Sequence, residues 1–99
     1  MFKDIISRDA GEPWPSQGMT SKKWLSVEPR EVQISDLIAT QDGIYFRGLH
    51  PDTIPVGGDP IPHVIHWQNK FYLEDGHHRV VRAALRGEKV VLARVLSIV

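Results

Sequence analysis

The sequence predicts one small domain of the α+β class. Its 99 residues are enough for a single modest core. Three observations carry the prediction: an alternating apolar segment around Val32, a pair of apolar segments separated by a turn, and a helical pattern followed by an apolar segment. Strands and helices in this order are typical of an α+β fold. We expect an irregular N-terminal arm over residues 1–30 and the folded domain over residues 31–99.

The N-terminal arm is rich in residues that interrupt regular structure. Residues 8–21 contain two prolines, two glycines and several small polar residues. Trp14 lies between Pro13 and Pro15. We expect its indole to pack on the body of the domain, with contact to a partner protein as the alternative.

Short sequence patterns predict the secondary structure of the first half of the domain. Val32 and Ile34 alternate as in a strand, and Ser35 is a suitable cap for a short helix over residues 36–41. Residues 42–49 follow as a short strand or turn. Residues 50–62 hold four prolines and two adjacent glycines, so we expect a loop there.

The second half has stronger signals. Residues 63–67 and 71–74 predict two strands of a hairpin joined by a three-residue loop. Residues 77–86 then predict a helix with Val81, Ala84 and Leu85 on its apolar face, and Gly87 suits the position after its last turn. Residues 89–99 predict a closing strand. The expected architecture is a mixed sheet in which a hairpin leads into a helix and a C-terminal strand follows.

Composition excludes several classes of protein. Twelve basic and twelve acidic residues cancel, so no global charge indicates nucleic acid or membrane, although residues 61–99 carry six basic and three acidic residues. The chain has no cysteine, which excludes disulfides and cysteine-ligated zinc. No segment has the roughly 18 consecutive apolar residues of a membrane span. We therefore expect a cytoplasmic protein that does not enter membranes.

The segment Asp75-Gly76-His77-His78-Arg79 stands where the second hairpin strand ends and the helix begins. The first N–H groups of a helix attract anions, glycine allows close approach to the backbone, and arginine binds phosphate in a bidentate manner. The segment therefore suits a phosphate site. The alternative is a structural turn in which Asp75 caps the helix, Gly76 allows the bend, His77 packs in the core and Arg79 pairs with Glu74.

Two other patterns predict no site. His63 and His66 lie on a predicted strand, where side chains three residues apart point to opposite faces, so we expect no metal site there. One of the two is expected to face the cleft or solvent. Residues 56–59 contain two glycines but lack the lysine and the following helix of a phosphate-binding loop, and we interpret them as a turn.

Residues 72–96 resemble the core motif of the ParB/sulfiredoxin superfamily, in the DGHHR-bearing subset of the ParB-like nuclease group. The likeness rests on an apolar strand ending in Gly76-x-x-Arg79, a helix with small residues, a glycine and a final strand. The segment PREVQISDLIATQ is similar to the opening of that family, and the resemblance spans about residues 31–99. The chain lacks an arginine that ParB has at the positions of His77 and His78, and it lacks the cysteine that sulfiredoxin requires.

The resemblance implies a phosphate-centred activity. Gly76, His77, His78 and Arg79 would hold the phosphates of a nucleotide or nucleic acid, with Mg²⁺ as the implied companion ion. His77, His78, Glu74 and Asp75 would serve as catalytic residues in phosphoryl transfer or phosphodiester hydrolysis. Gln41 and His66 are further candidates for the cleft. The chain lacks the DNA-binding segments that follow in ParB, which favours an origin in a phage or mobile element.

Two functions from different classes therefore remain open. The first is an enzyme or nucleotide-binding protein that acts through the phosphate site. The alternative is a non-catalytic binding or regulatory protein that acts through a protein or DNA partner. The missing arginine and the balanced net charge favour this alternative.

Overall fold

The computed structural model describes residues 2–6, 13–40 and 60–98. In this part of the chain, six strands form one mixed sheet in the order β1-β3-β5-β4-β6-β2. The strands are β1 (Asp4–Ile5), β2 (Pro29–Gln33), β3 (Leu37–Ala39), β4 (His63–Trp67), β5 (Lys70–Asp75) and β6 (Val90–Ile98). The helices are α1 (Ser21–Leu25) and α2 (His77–Leu85), with a 3₁₀ turn at Ile34–Asp36. The predicted α+β class and mixed sheet are confirmed.

The sheet has apolar layers on both faces. Neighbouring residues of a strand point to opposite faces, so Leu73 joins the α2 side while Tyr72 joins the other side. The α2 layer consists of Val32, Ile34, Leu37, Val64, Leu73, Val80, Ala83 and Ala93. The opposite layer consists of Trp14, Trp24, Ile38, Ile65 and Tyr72. The expected packing of Trp14 within the chain is confirmed.

Regular structure also occurs within residues 1–30, where the sequence predicted an irregular arm. Strand β1 pairs in parallel with β3, a contact that no local sequence pattern predicts. Thr20 caps α1 by accepting a hydrogen bond from the Lys23 N–H at 3.2 Å. Arg94 of β6 donates to the Val27 carbonyl at 2.6 Å, which ties the end of this helix to the sheet.

The predicted helix over residues 36–41 is wrong. Leu37, Ile38 and Ala39 form β3, which runs between β1 and β5 and parallel to both. All three side chains are buried. A strand covered on both faces is apolar without alternation, and a short run of this kind looks like a helix segment in the sequence. Residues 41–59, which include the predicted strand or turn and most of the proline-rich loop, lie outside the described residues.

The hairpin is confirmed with a shorter turn than predicted. Trp67 pairs with Lys70, so the loop consists of Gln68 and Asn69 alone. Both have positive φ, 51° and 63°. This is the backbone of a two-residue turn whose twist matches the flanking strands, and Lys70 becomes the first residue of β5.

Helix α2 ends as the sequence predicts. Gly87 has a φ of 85°, and the N–H groups of Gly87 and Glu88 donate to the carbonyls of Ala84 and Ala83 at 3.0 Å each. The predicted apolar face is wrong at Leu85, which is 67% exposed. The buried residues are His77, Val80, Val81 and Ala83. Val80 and Ala83, which the predicted face did not include, lie on the side of the helix away from Leu85, so the buried face is rotated toward them.

Candidate functional site

The predicted phosphate site lies at the junction of β5 and α2. Gly76 is the N-cap residue of α2 and has a φ of 91°, a conformation that glycine adopts readily. Its N–H donates to the Asp75 carboxylate at 2.9 Å. Its position is also tightly packed, because a Cβ at Gly76 would stand 2.9 Å from the Pro62 Cα. The turn therefore requires glycine for a structural reason.

His77 is buried and hydrogen-bonded within the fold. Its Nε2 accepts a hydrogen bond from the Thr40 backbone N–H at 2.9 Å, and the Thr40 hydroxyl donates to the Leu73 carbonyl at 2.7 Å. An acceptor nitrogen carries no proton, so the imidazole in this arrangement is the neutral form protonated at Nδ1. His77 is only 3% exposed. These bonds connect the start of α2 to the ends of β3 and β5.

His78 and Arg79 occupy more open positions. Both are partly exposed, and the Nε2 of His78 is buried without a hydrogen-bond partner in the described structure. Arg79 lines a surface depression of about 410 Å³ whose other charged residues are Glu31, Arg86 and Glu88. Arg86 and Glu88 pair with each other at 2.9 Å. Of the four residues predicted to bind phosphate, Arg79 lines this depression, and His78 is partly exposed although its Nε2 is buried.

The predicted catalytic residues are divided between the two faces of the sheet. Glu74 lies beside Trp14, Trp24 and Ile65, on the face opposite α2. Its Oε2 is 4.0 Å from Nδ1 of His63, whereas His77 contacts the end of β3 under the helix. Asp75 is exposed and bonded to the N–H of Gly76. The structure therefore keeps Gly76, His77, His78 and Arg79 adjacent but places Glu74 in a different environment.

His66 has contacts away from this junction. His66 stacks on Phe71 with ring centroids 4.3 Å apart, and its Nδ1 is 3.3 Å from the Ser97 hydroxyl. Gln41 lies outside the described residues. His63 and His66 point to opposite faces, as predicted, and among the described residues no group of three or more histidine, aspartate or glutamate side chains is arranged to hold a metal.

Sequence reasoning missed a cluster on the face opposite α2. The Trp24 and His63 rings are stacked, with centroids 4.3 Å apart and 9° between their planes. The Trp14 and Tyr72 rings also pack together, with centroids 5.2 Å apart. Trp14 and Trp24 both line a cavity of about 150 Å³ with Glu74. The position of Trp14 between two prolines was a visible signal, but its proximity to Trp24 depends on the path of the chain over the sheet.

A comparison with protein families identifies the chain. The family model described as "Antitoxin VapB-like" matches residues 2–99. The chain belongs to the VapB-like antitoxin family. No curated protein and no solved structure matches it.

Because the chain belongs to the VapB-like antitoxin family, the assignment to the ParB/sulfiredoxin superfamily is wrong. The expectations of a ParB-like domain, a nuclease-like protein and a phage origin rested on that resemblance and are wrong as family assignments. These expectations failed because they depended on a short pattern of residue types, from Gly76 to Arg79, that has another physical explanation. A glycine at Gly76 is required by the contact with Pro62 and by the positive φ, and His77 is used in the core. Gly76 and His77 therefore have structural roles in this turn that do not involve phosphate.

No helix within the described residues is long and apolar enough to span a membrane.

Proposed function

We propose that this VapB-like protein is an antitoxin that acts by binding: it forms a complex with a toxin protein and thereby neutralises it. The observation that carries the proposal is the match of the antitoxin family model to residues 2–99, nearly the whole chain. A function that resides in binding requires a stable, well-packed surface and no catalytic residues. This corresponds to the alternative that the missing arginine and the balanced charge favour.

The use of the Asp75–Arg79 segment within the fold supports this proposal. The Asp75 carboxylate is bonded to the adjacent N–H, Gly76 is packed against Pro62, and His77 accepts a buried hydrogen bond. These three residues have structural roles that account for their presence without a reaction. Binding of a nucleotide or of DNA phosphates at Gly76, His77, His78 and Arg79, with Mg²⁺ as companion ion, stays a prediction that the antitoxin function does not require.

The proposal is tested by growth of cells that produce the partner. The affinity-tagged protein is purified from its source cells, and each copurified protein is then expressed alone and together with the VapB-like protein. We expect one partner that stops growth when expressed alone and allows growth when co-expressed. The matched control is an unrelated tagged protein of similar size, which must not restore growth.

Failure of this prediction has a definite form. If no copurified protein inhibits growth, or if growth inhibition persists when a stable complex forms, the protein does not neutralise a toxin by binding. Formation of the complex is measured independently by co-elution in size-exclusion chromatography.

A further inference from the structure

Strand β6 has a section that is paired on one side only. Within the described residues, β6 pairs with β2 over residues 90–94 and with β4 over residues 94–98. The two partner strands therefore overlap only at Arg94. We call residues 90–93 the free section of β6, because no described strand pairs with them on the side of β4.

The backbone groups of Val90 and Leu92 point toward this unpaired side. The N–H of Arg94 donates to the Pro62 carbonyl at 2.8 Å, so the backbone groups of Arg94 point toward β4. Backbone groups two residues apart in a strand point the same way. No described residue forms a hydrogen bond with the N–H and C=O groups of Val90 and Leu92 on that side. Two donors and two acceptors can therefore pair with an added strand.

The surface depression of about 410 Å³ lies beside the free section of β6. Its lining includes Val90, Val91 and Leu92 on one side and Pro60 and Pro62 on the other. Proline has no N–H group, so the segment before β4 is poorly suited to continue the ladder of strand hydrogen bonds. Because one chain forms both walls, the depression suits a single extended segment better than the edge of a second sheet.

Exposed apolar side chains flank the unpaired backbone groups. Val91 packs against the α2 layer, so Val90 and Leu92 point to the opposite face of the sheet. These two side chains are 43% and 56% exposed. Neighbouring side chains on one face of paired strands stabilise the pairing when both are apolar. An added strand with apolar side chains on this face would therefore match the free section.

The α2 face of the depression offers a cation. Arg79 is partly exposed, lines the depression and forms no ion pair with a described residue. Arg86 and Glu88 pair with each other at 2.9 Å. Glu31 is next to Val32 of the α2 layer and therefore points to the opposite face. A side chain that enters beneath α2 meets a positive charge, which favours a carboxylate.

We propose that an extended segment of the toxin adds as a strand to the free section of β6. Its apolar side chains would lie beside Val90 and Leu92, and a carboxylate on its other face would contact Arg79. In strand addition the backbone hydrogen bonds supply affinity, and alternate side chains supply specificity. The identity of the partner rests on the proposed antitoxin function, whereas the shape and charge of the site do not.

The outer edge of β2 is less suitable for strand addition. Its first residue, Pro29, lacks an N–H group, and the two charged residues that follow are exposed. Proline and charged side chains are typical of sheet edges that resist pairing with another chain.

The site is tested first with a peptide of matching chemistry, the acetylated and amidated sequence Thr-Val-Glu-Val-Thr. In a strand its two valines share one face and its glutamate points to the other. The peptide is titrated into the ¹⁵N-labelled full chain and followed by NMR. We expect saturable shifts centred on Leu92, and a dissociation constant at least about fivefold higher for the same peptide with lysine in place of glutamate.

Two outcomes of this titration decide the role of the charge and of the site. Arg79→Ala should reduce the preference for glutamate over lysine to less than about twofold. An unchanged preference, the absence of saturable binding, or shifts centred away from the free section of β6 would overturn the proposal.

A proline substitution tests the backbone contact. Leu92→Pro removes an N–H that points away from β2, so the ladder with β2 is retained. It should weaken peptide binding at least about tenfold, whereas Leu92→Val keeps the N–H and should bind within about twofold of the wild-type protein. Circular dichroism verifies the fold. If Leu92→Pro does not fold, Val90→Pro replaces it, with Val90→Thr as control, because proline is tolerated at the first residue of a strand. Equal binding to the proline variant and its control would overturn the proposal.

The effect of Arg79 on the toxin complex is measured on purified proteins. Loss of one charge contact among several backbone bonds should raise the dissociation constant of the toxin about fivefold or less. A complex of roughly nanomolar affinity stays formed after such a change at concentrations of about 1 μM. Growth of co-expressing cells is therefore not expected to change.

Amide hydrogen exchange tests whether the toxin is the occupant. In the free protein, the Leu92 N–H should exchange at least about tenfold faster than those of Val91 and Ala93, which point toward β2. In the complex with the toxin that the growth assay identifies, the Leu92 N–H should become protected and the peptide should no longer bind. A neutralising complex in which Leu92 exchanges as in the free protein would overturn the toxin as occupant while the antitoxin function stands. If no toxin is found, both the antitoxin function and this occupant fail, whatever the peptide shows.

Discussion

Replacing His77 by alanine is expected to lower the free energy of unfolding by about 2–4 kcal/mol. The imidazole Nε2 accepts the hydrogen bond of the Thr40 N–H at 2.9 Å in a buried position. Alanine leaves this N–H without a partner, and a buried unpaired donor alone costs about 1–3 kcal/mol. The remainder comes from the space left by a side chain that is 3% exposed. Urea denaturation followed by circular dichroism measures the change.

The neighbouring histidine provides a matched control. His78 is partly exposed and its Nε2 has no hydrogen-bond partner in the described structure. We expect His78→Ala to change the free energy of unfolding by less than about 1 kcal/mol. His77→Gln should recover part of the loss, because its amide oxygen can replace Nε2 as acceptor. Equal effects of the two alanine substitutions would contradict the structural role of His77.

Replacing Gly76 by alanine is expected to lower the free energy of unfolding by about 2–4 kcal/mol. Two costs add here. The φ of 91° is unfavourable for a residue with a Cβ, at about 1–2 kcal/mol, and the new Cβ would stand 2.9 Å from the Pro62 Cα. The neighbouring atom belongs to the backbone, so relief requires the segment before β4 to shift.

Substitution of Gly87 measures the conformational cost without the steric cost. Its φ is 85°, but no atom lies within 4 Å of the position that a Cβ would occupy. Gly87→Ala should therefore show only the conformational cost of about 1–2 kcal/mol. Thermal and urea denaturation of the two variants, made in parallel, give the difference. A loss for Gly87→Ala that equals or exceeds the loss for Gly76→Ala would show that the contact with Pro62 is not a constraint.

Local sequence signals predicted the second half of the fold. The hairpin, α2 and β6 each have a pattern within one continuous segment, and Gly87 marks the end of the helix at the predicted position. Within these segments, only the burial of Leu85 and the length of the hairpin loop were predicted wrongly. The larger failure, at β3, concerns contacts between distant segments. Strand β3 is a strand because β1 and β5 flank it, and neither neighbour is visible from its three apolar residues.

The site illustrates the same limit for side chains. At the level of residue types, Gly76, His77 and Arg79 fit both a phosphate site and a structural turn. The difference lies in Thr40 and Pro62, which contact His77 and Gly76 from distant segments. The cavity between Trp14 and Trp24 also depends on such contacts. Family membership was established by a match over residues 2–99, whereas the resemblance to ParB depended mainly on a short motif.

The most direct test of the central claim is neutralisation of the toxin by a variant that lacks the accessible side chains of the predicted phosphate site. The double variant His78→Ala, Arg79→Ala removes both while leaving Gly76 and His77 in place. Growth of cells that co-express the variant and the toxin is compared with growth in the presence of the wild-type protein, after circular dichroism has verified the fold. Binding without catalysis predicts equal growth. Loss of neutralisation by a folded variant that still forms the complex would contradict it and indicate that the segment performs chemistry.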